Sequence, residues 1–226
     1  MTNPANPASS HTEDLTAILG SLYSAVVSDV LDGLGYRNQA LDSEVRPLTK
    51  MRRVCGRVFT ARAIPTTEIP PEPYVLQIAA VDALKAGEVL VVDGQSTCTC
   101  SFWGELLTTA CVHKGVRGLV MTACTRDMWK IDDLEFPIFG IGYHPGDDKG
   151  RLEVVEIGKP ITIAGVKTKP GDLLLGDEDG VVIIPSEAAA DTIRKAREKA
   201  SGENLVRDAL AAGMPVGEAF RKFGIL

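Results

Sequence analysis

The chain alternates between two hydrophobic rhythms, and these divide it into segments of different architecture. From residue 12 to 35, "TEDLTAILGSLYSAVVSDVLDGLG" repeats apolar residues every three or four positions behind Thr12 and two acids. That spacing predicts one amphipathic helix, stopped by Gly33 and Gly35. "GRVFTARAI" (56–64) alternates with period two, as a strand does, and the proline-rich "PTTEIPPEP" after it reads as a loop. A regular succession then begins: "YVLQIAAVDAL" as helix, "GEVLVVDG" as buried strand, "FWGELLTTACVHKG" as helix, "VRGLVMTA" as strand, "DMWKIDDL" as short helix and "FPIFGIGY" as strand. Strands and helices alternating at this length predict α/β units on a largely parallel, buried sheet. After Gly150 the pattern changes to short strands with tight turns, "LEVVEIGKPITIAGVKTKPGDLLLGDEDGVVIIP", which predicts an all-β segment. A long helix from Ser186 to about Ala212 follows, with "RKAREK" as its solvated face.

The organisation implied is a disordered arm over residues 1–12, one α/β domain over 13–212, and an amphipathic tail over 213–226 docked on this chain or a neighbour. There is no linker at the change of style and no internal repeat. The expected fold class is therefore a single α/β domain with a buried sheet, a second β layer and flanking helices.

Composition narrows the function classes. The 226 residues are 45% hydrophobic and 24% charged, as in soluble globular proteins, and the formal net charge of −6 argues against nucleic acid as a partner. The first residues lack the basic and apolar regions of a signal peptide, and no run is long and apolar enough for a membrane span, so a cytoplasmic protein is expected. Five cysteines, Cys55, Cys98, Cys100, Cys111 and Cys124, show neither CxxC nor zinc spacing, and reduced structural thiols are the expectation.

Candidate chemistry gathers at one sheet edge. In open α/β sheets ligands sit beyond the carboxyl ends of the strands. "VLVVDG" ends there, the loop "QSTCTCSFWG" crosses the edge into a helix start at Glu105, and "RGLVMTA" returns to deliver Arg126 and Asp127. Glu105, Arg126 and Asp127 should therefore meet around a helix N-terminus, whose free N–H groups suit an anion. Arg126 offers a planar cationic fork for a carboxylate or enolate oxygen. Asp127 and Glu105 offer hard oxygen ligands suited to Mg²⁺ or Mn²⁺. A structural ion pair, with Glu105 complementing a helix dipole, accounts for the same spacing. Elsewhere, Asp93 stands at a strand end where it can orient the site, and His144 in "GYHPGDD" is a possible general base but more simply a solvated loop residue. His113 sits at a helix end, "DEDG" (177–180) reads as a tight turn rather than a calcium loop, and Lys114 and Lys130 lack the desolvated setting of a Schiff-base lysine. Trp103 suits a pocket wall or the core.

Taken together, "GEVLVVDG", "WGELLTTA", "KGVRGLVMTACTRD", "FPIFGIG" and "PGDLLLGDEDGVVIIP", with the helix "SAVVSDVLDGLG", resemble a known family in order and spacing over roughly residues 20 to 185. It comprises the class II 4-hydroxy-4-methyl-2-oxoglutarate / 4-carboxy-4-hydroxy-2-oxoadipate aldolases and their relatives named as regulators of ribonuclease E activity. The resemblance implies a swivelling β/β/α fold, a homotrimer or homohexamer with sites between subunits, and a divalent metal, Mg²⁺ or Mn²⁺, without an organic cofactor. It implies Asp127 as direct metal ligand, Glu105 as an acid reaching the metal through water, and Arg126 as the holder of the 2-oxo and enolate oxygen. Backbone amides of Ser101, Phe102, Trp103 and Gly104 would take the pyruvyl carboxylate. Two departures stand out: Glu105 where the family often has Asp, and Thr122-Ala123 where it more often has Asp-Gly. The implied activity is cleavage of a 4-hydroxy-2-oxo acid with a second carboxylate, with oxaloacetate decarboxylation sharing the intermediate. The regulators lack the full acid/Arg-Asp set, so its presence favours an enzyme over a non-catalytic, ribonuclease-binding regulator.

Overall fold

In the computed structural model, residues 15–225 are described, so the expected arm over 1–12 and the Thr12 cap lie outside them. The predicted first helix is two. Residues 15–20 are helical, the chain breaks at Ser21, whose hydroxyl donates to Ile18 O (2.7 Å), and α1 runs over Ser24–Gly33. The restart is fixed from a distance: the buried Asp177 carboxylate accepts the Ser24 N–H (2.7 Å) and the Ser24 hydroxyl (2.6 Å). That assigns "DEDG" a structural task as a helix cap. Gly35, at φ 90, supplies the stop in the left-handed region.

The main sheet is built from β1 (Arg46–Pro47), β2 (Val54–Pro65), β3 (Glu88–Trp103), β4 (Gly118–Thr125), β5 (Ile138–Gly140), β6 (Gly142–Tyr143), β7 (Leu152–Ile157), β10 (Leu173–Asp177) and β11 (Gly180–Ile184). Its order is β1-β5-β4-β3-β2-β10-β11, with β6 on β4 and β7 on β2. The strands β2, β3, β4 and β5 pair in parallel, as the α/β rhythm predicts. The two ends of this order approach each other: Arg46 Nη1 donates to Asp179 O (2.8 Å) and Ala40 bridges to Val182, so the sheet is nearly closed. Most of the all-β segment extends this sheet, and only β8 (Ile161–Ile163) and β9 (Val166–Thr168) form the second, small sheet.

Helices cover the outside. On one face, α2 (Val75–Ala83) and α3 (Glu105–His113) bury Val81 and Cys111 against Leu90, Val92, Leu119 and Met121. The opposite face of the same strands, Val89, Val91, Val120 and Phe139, packs on Ile161, Ile163 and Val166. Burial on both faces is why β4 reads as an unbroken apolar run. The helix α1 packs with the start of α5 (Ala189–Ala211) over β10 and β11. "DMWKIDDL" divides into α4 (Met128–Ile131) and a 3-10 turn over Asp132–Leu134. The tail forms α6 (Val216–Phe223), which buries Ala219 but leaves Val216 and Phe220 more than half exposed.

Two expectations need correction at the site edge. "QSTCTCSFWG" is not a loop: β3 continues to Trp103, with breaks in its register on β4 after Val92, Thr97 and Ser101. Left-handed Gln95 and Ser96 (φ 54 and 51) lie in the bulge between Val92 and Thr97, after which the strand continues parallel to β4. The cysteines are not all reduced either. The bulged segment brings Cys98 beside the end of β4, with a Cα–Cα distance of 5.1 Å to Cys124, and the two form a disulfide. Cys55, Cys100 and Cys111 are free thiols, and burial pushes Cys55 up to about 11 and Cys111 up to about 12. No helix among the described residues is long and apolar enough to cross a membrane.

Candidate active site

The turn out of β4 makes the site. Asp127 holds a left-handed backbone (φ 61) between β4 and α4, a conformation that Asp tolerates better than most residues. The turn points its carboxylate back at the start of α3, where Oδ2 accepts the Glu105 N–H at 3.2 Å. Gly104 permits this approach: a β-carbon there would lie 2.7 Å from Asp127 Oδ2 and 3.5 Å from Arg126 Nε. Glu105, Arg126 and Asp127 are thus brought together across the predicted distance in sequence. The carboxylate of Glu105 accepts from the Thr109 hydroxyl (3.1 Å) and lies 3.8 Å from Lys130 Nζ.

Arg126 is oriented by a partner that the sequence reading missed. Its Nη2 donates to Asp147 Oδ1 at 3.0 Å, while its Nε stands 3.8 Å from Asp127 Oδ2. Asp147 also accepts the Tyr74 hydroxyl. Burial pushes the Asp147 carboxyl up, but Tyr74 and Arg126 outweigh it and hold the group below its usual range. The adjacent Asp148 is buried and accepts from Gln77 Nε2 at 3.0 Å. Burial, then the Asp147 charge, push Asp148 up to about 7, while the hydrogen bond to Asp147, then burial, push Tyr74 up to about 12. The signal for both acids was present in "GYHPGDD", an acidic pair following a strand on the Arg126 edge. His144 Nδ1 accepts the Gly146 N–H (3.0 Å), so the imidazole shapes the turn that carries the acids.

These residues surround a cavity of roughly 270 Å³, lined also by Ser101, Phe102, Trp103, Gly104, Ile78, Leu106 and Leu107. The expected cradle of backbone amides requires one correction: Ser101 N–H donates to Gly146 O at 2.7 Å and is spent on the fold. In the first turn of α3, Leu106 and Leu107 have N–H groups without a helical acceptor, beside the same cavity. Trp103 is both wall and core, fully buried with its indole N–H on Thr108 Oγ1 at 2.8 Å. Asp93 does not orient the site: its Oδ1 accepts from Gln95 N (3.0 Å) and the Thr122 hydroxyl (3.2 Å), and it lines a separate cleft with Arg62 and Lys167. Lys114 clamps α3 to Val81 O (2.9 Å) and Asp82 O (2.6 Å), and His113 is exposed.

The donor set can be tested against a divalent metal. Among the described residues no three His, Cys, Asp or Glu side chains form a metal-holding group. Mg²⁺ does not require one, because it keeps several waters and binds through one or two carboxylates. Asp127 and Glu105, two hard oxygen donors beside an accessible cavity, fit that mode.

Comparison with known proteins agrees with this fold. The family model described as RraA-like, Aldolase/RraA, matches residues 24–183. A protein of Halalkalibacterium halodurans provisionally named 4-hydroxy-4-methyl-2-oxoglutarate aldolase is 30% identical over 82% of this chain and 83% of its own length. Protein DlpA of Legionella pneumophila is 26% identical over 87% of this chain, which spans only 31% of that longer protein. The solved structure of Streptomyces coelicolor RraAS2, described as an unusual member of the RNase ES inhibitor RraA family, superposes with a TM-score of 0.79 at 28% identity, covering 86% of this chain and 96% of that one. With its family model matched over most of its length and its fold shared, the chain belongs to the RraA-like family of aldolases and RraA proteins.

Proposed function

We propose that the chain is a divalent-metal-dependent carbon–carbon lyase that cleaves a 4-hydroxy-2-oxo acid to pyruvate and a second oxo compound. The observation that carries this reading is the convergence of Arg126, Asp127 and Glu105 on one cavity at a helix start. Asp127 and Glu105 would hold the Mg²⁺ or Mn²⁺ ion, which supplies Lewis-acid polarisation of the 2-oxo group when bound. Arg126, oriented by Asp147, places a fixed positive fork where negative charge develops on the 2-oxo oxygen. The first-turn amides of α3 receive the substrate carboxylate. Phe102, Trp103 and Leu107 exclude water from one side of the cavity. Glu105 is placed to move a proton through solvent at the mouth. The same groups would serve oxaloacetate decarboxylation, which also leaves charge on a 2-oxo oxygen. The reading includes a cytoplasmic, trimeric or hexameric enzyme with its catalytic domain over 13–212 and its tail docked.

A regulator reading has one specific support, the likeness to RraAS2, a member of the RNase ES inhibitor RraA family. It predicts a stoichiometric nuclease complex that is indifferent to EDTA. The lyase reading predicts pyruvate from 4-hydroxy-4-methyl-2-oxoglutarate with Mg²⁺ or Mn²⁺, abolished by EDTA and restored by added metal. No pyruvate from this acid, from shorter 4-hydroxy-2-oxo acids or from oxaloacetate would refute it.

A further inference from the structure

The cavity has a second wall, of which the chemistry at the pyruvyl end uses only Asp147, as the partner of Arg126. Tyr74 and Gln77 form it from the head of α2, with Asp147 and Asp148 from the turn after β6. Asp148 and Gln77 are only 4% and 6% exposed, yet both line the cavity. A carboxylate so buried is costly unless it has hydrogen-bond donors to receive. Gln77 gives it one and, through the same nitrogen, donates to Phe102 O at 2.7 Å, which locks the amide in place. Tyr74 holds φ 66, a left-handed backbone uncommon for an aromatic residue, and its hydroxyl is pinned on Asp147. The wall is therefore rigid and built of polar groups.

Its charge restricts what can lie against it. Among the described residues lining the cavity, Arg126 is the single cation; Glu105 and Asp127 are assigned to the metal, which leaves Asp147, paired with Arg126, and Asp148 at this wall. With Arg126 committed to the 2-oxo end and the metal to Glu105 and Asp127, a second carboxylate on the substrate would find no free cation at this wall, whereas hydroxyl groups would meet carboxyl acceptors. Resting on the lyase reading above, we infer that this wall is a hydroxyl-recognising subsite, and that the substrate is a hydroxylated 2-oxo monoacid of the sugar-acid kind rather than a diacid. In the cleavage the C3–C4 bond breaks and the C4 hydroxyl loses its proton to become an aldehyde carbonyl. The electron pair stays with the three-carbon fragment, which takes one proton at C3 to become pyruvate, so no oxidant or reductant is needed. The second product is an uncharged hydroxyaldehyde.

Three probes differ only at C5: 4,5-dihydroxy-2-oxopentanoate, 4-hydroxy-2-oxoglutarate and 4-hydroxy-2-oxopentanoate, carrying a hydroxymethyl, a carboxylate and a methyl group. With Mn²⁺ present and pyruvate measured by chromatography, kcat/KM for the hydroxymethyl probe should exceed that for each of the others by at least roughly tenfold. Asp148→Asn should lower kcat/KM for the hydroxymethyl probe while narrowing its lead over the diacid. A merely structural Asp148 would lower all three alike. A preference for the diacid, or an equal loss on all three probes, overturns the subsite and leaves the lyase reading standing. Pyruvate from none of them but from 4-hydroxy-4-methyl-2-oxoglutarate or oxaloacetate overturns the subsite alone, and pyruvate from none of the five sinks the lyase reading and the subsite with it.

Discussion

At Gly104 the absence of a side chain lets Asp127 lie across the start of α3, and a β-carbon 2.7 Å from Asp127 Oδ2 would push that carboxylate away. Gly104→Ala is therefore expected to weaken Mn²⁺ binding by tenfold or more in calorimetric titration, while the melting temperature shifts little because Asp127 is exposed. Unchanged Mn²⁺ affinity would contradict this. At Asp148 the sign runs with pH. A carboxyl raised from 3.8 to about 7 by burial stabilises the fold while protonated; that contribution is whole below about 4 and lost as pH rises through 7. Asp148→Asn cannot ionise, so its melting temperature relative to the parent should stand higher at pH 8 than at pH 5, by about 2–4 °C for each kcal/mol relieved. An equal difference at both pH values would show that Asp148 does not titrate in this way. Glu105, Arg126 and Asp127 were legible from sequence because the count of one helix and one strand between them is simple geometry. The acidic pair of "GYHPGDD" marked Asp147, but its pairing with Arg126 and Tyr74 was not legible, since nothing local tells that the loop before α2 and the turn after β6 meet over Arg126.

The elements followed their periodicities where packing agreed with local pattern, and departed where a distant contact decided. The apolar runs of β3 and β4 and the helical spacing of α2, α3 and α5 emerged as read. The break at Ser21 depends on Asp177, more than 150 residues away, and could not be read from "AILGSLYS" alone. "QSTCTC" looked like a loop because its polar residues lie on an exposed, bulged extension of β3, whose pairing on β4 is irregular. The Cys98–Cys124 bond ties that extension to the strand that delivers Arg126. Peptide mapping without reductant should recover the linked pair. The double variant Cys98→Ser/Cys124→Ser should unfold at lower denaturant, with a loss of about 2–4 kcal/mol. Recovery of both as free thiols under oxidising conditions would contradict the pairing.

Across the whole molecule, a nearly closed sheet carries its candidate site at one edge, beneath a collar of uncovered apolar residues. Leu106, 80% exposed, and Ile78, 50% exposed, line the cavity, and Trp129, 74% exposed, stands on α4, next to α3. Apolar groups so placed are expected against another surface, in line with the trimer implied by the family resemblance. Sedimentation should give three or six chains, and a fully active monomer would contradict shared sites. The fold class was legible at this scale because alternation of strands and helices constrains architecture strongly. The near closure of the sheet was not, because it depends on Arg46 and Ala40 meeting the β10–β11 hairpin. The proposed function rests on Arg126 stabilising charge that develops during the reaction, and one measurement addresses it most directly: kcat for pyruvate release by Arg126→Lys beside the parent, both saturated with Mn²⁺. The lysine keeps the charge and loses the planar fork. A fall in kcat equivalent to about 2–4 kcal/mol, with Mn²⁺ affinity retained, is the predicted result. A kcat within twofold of the parent would contradict the account.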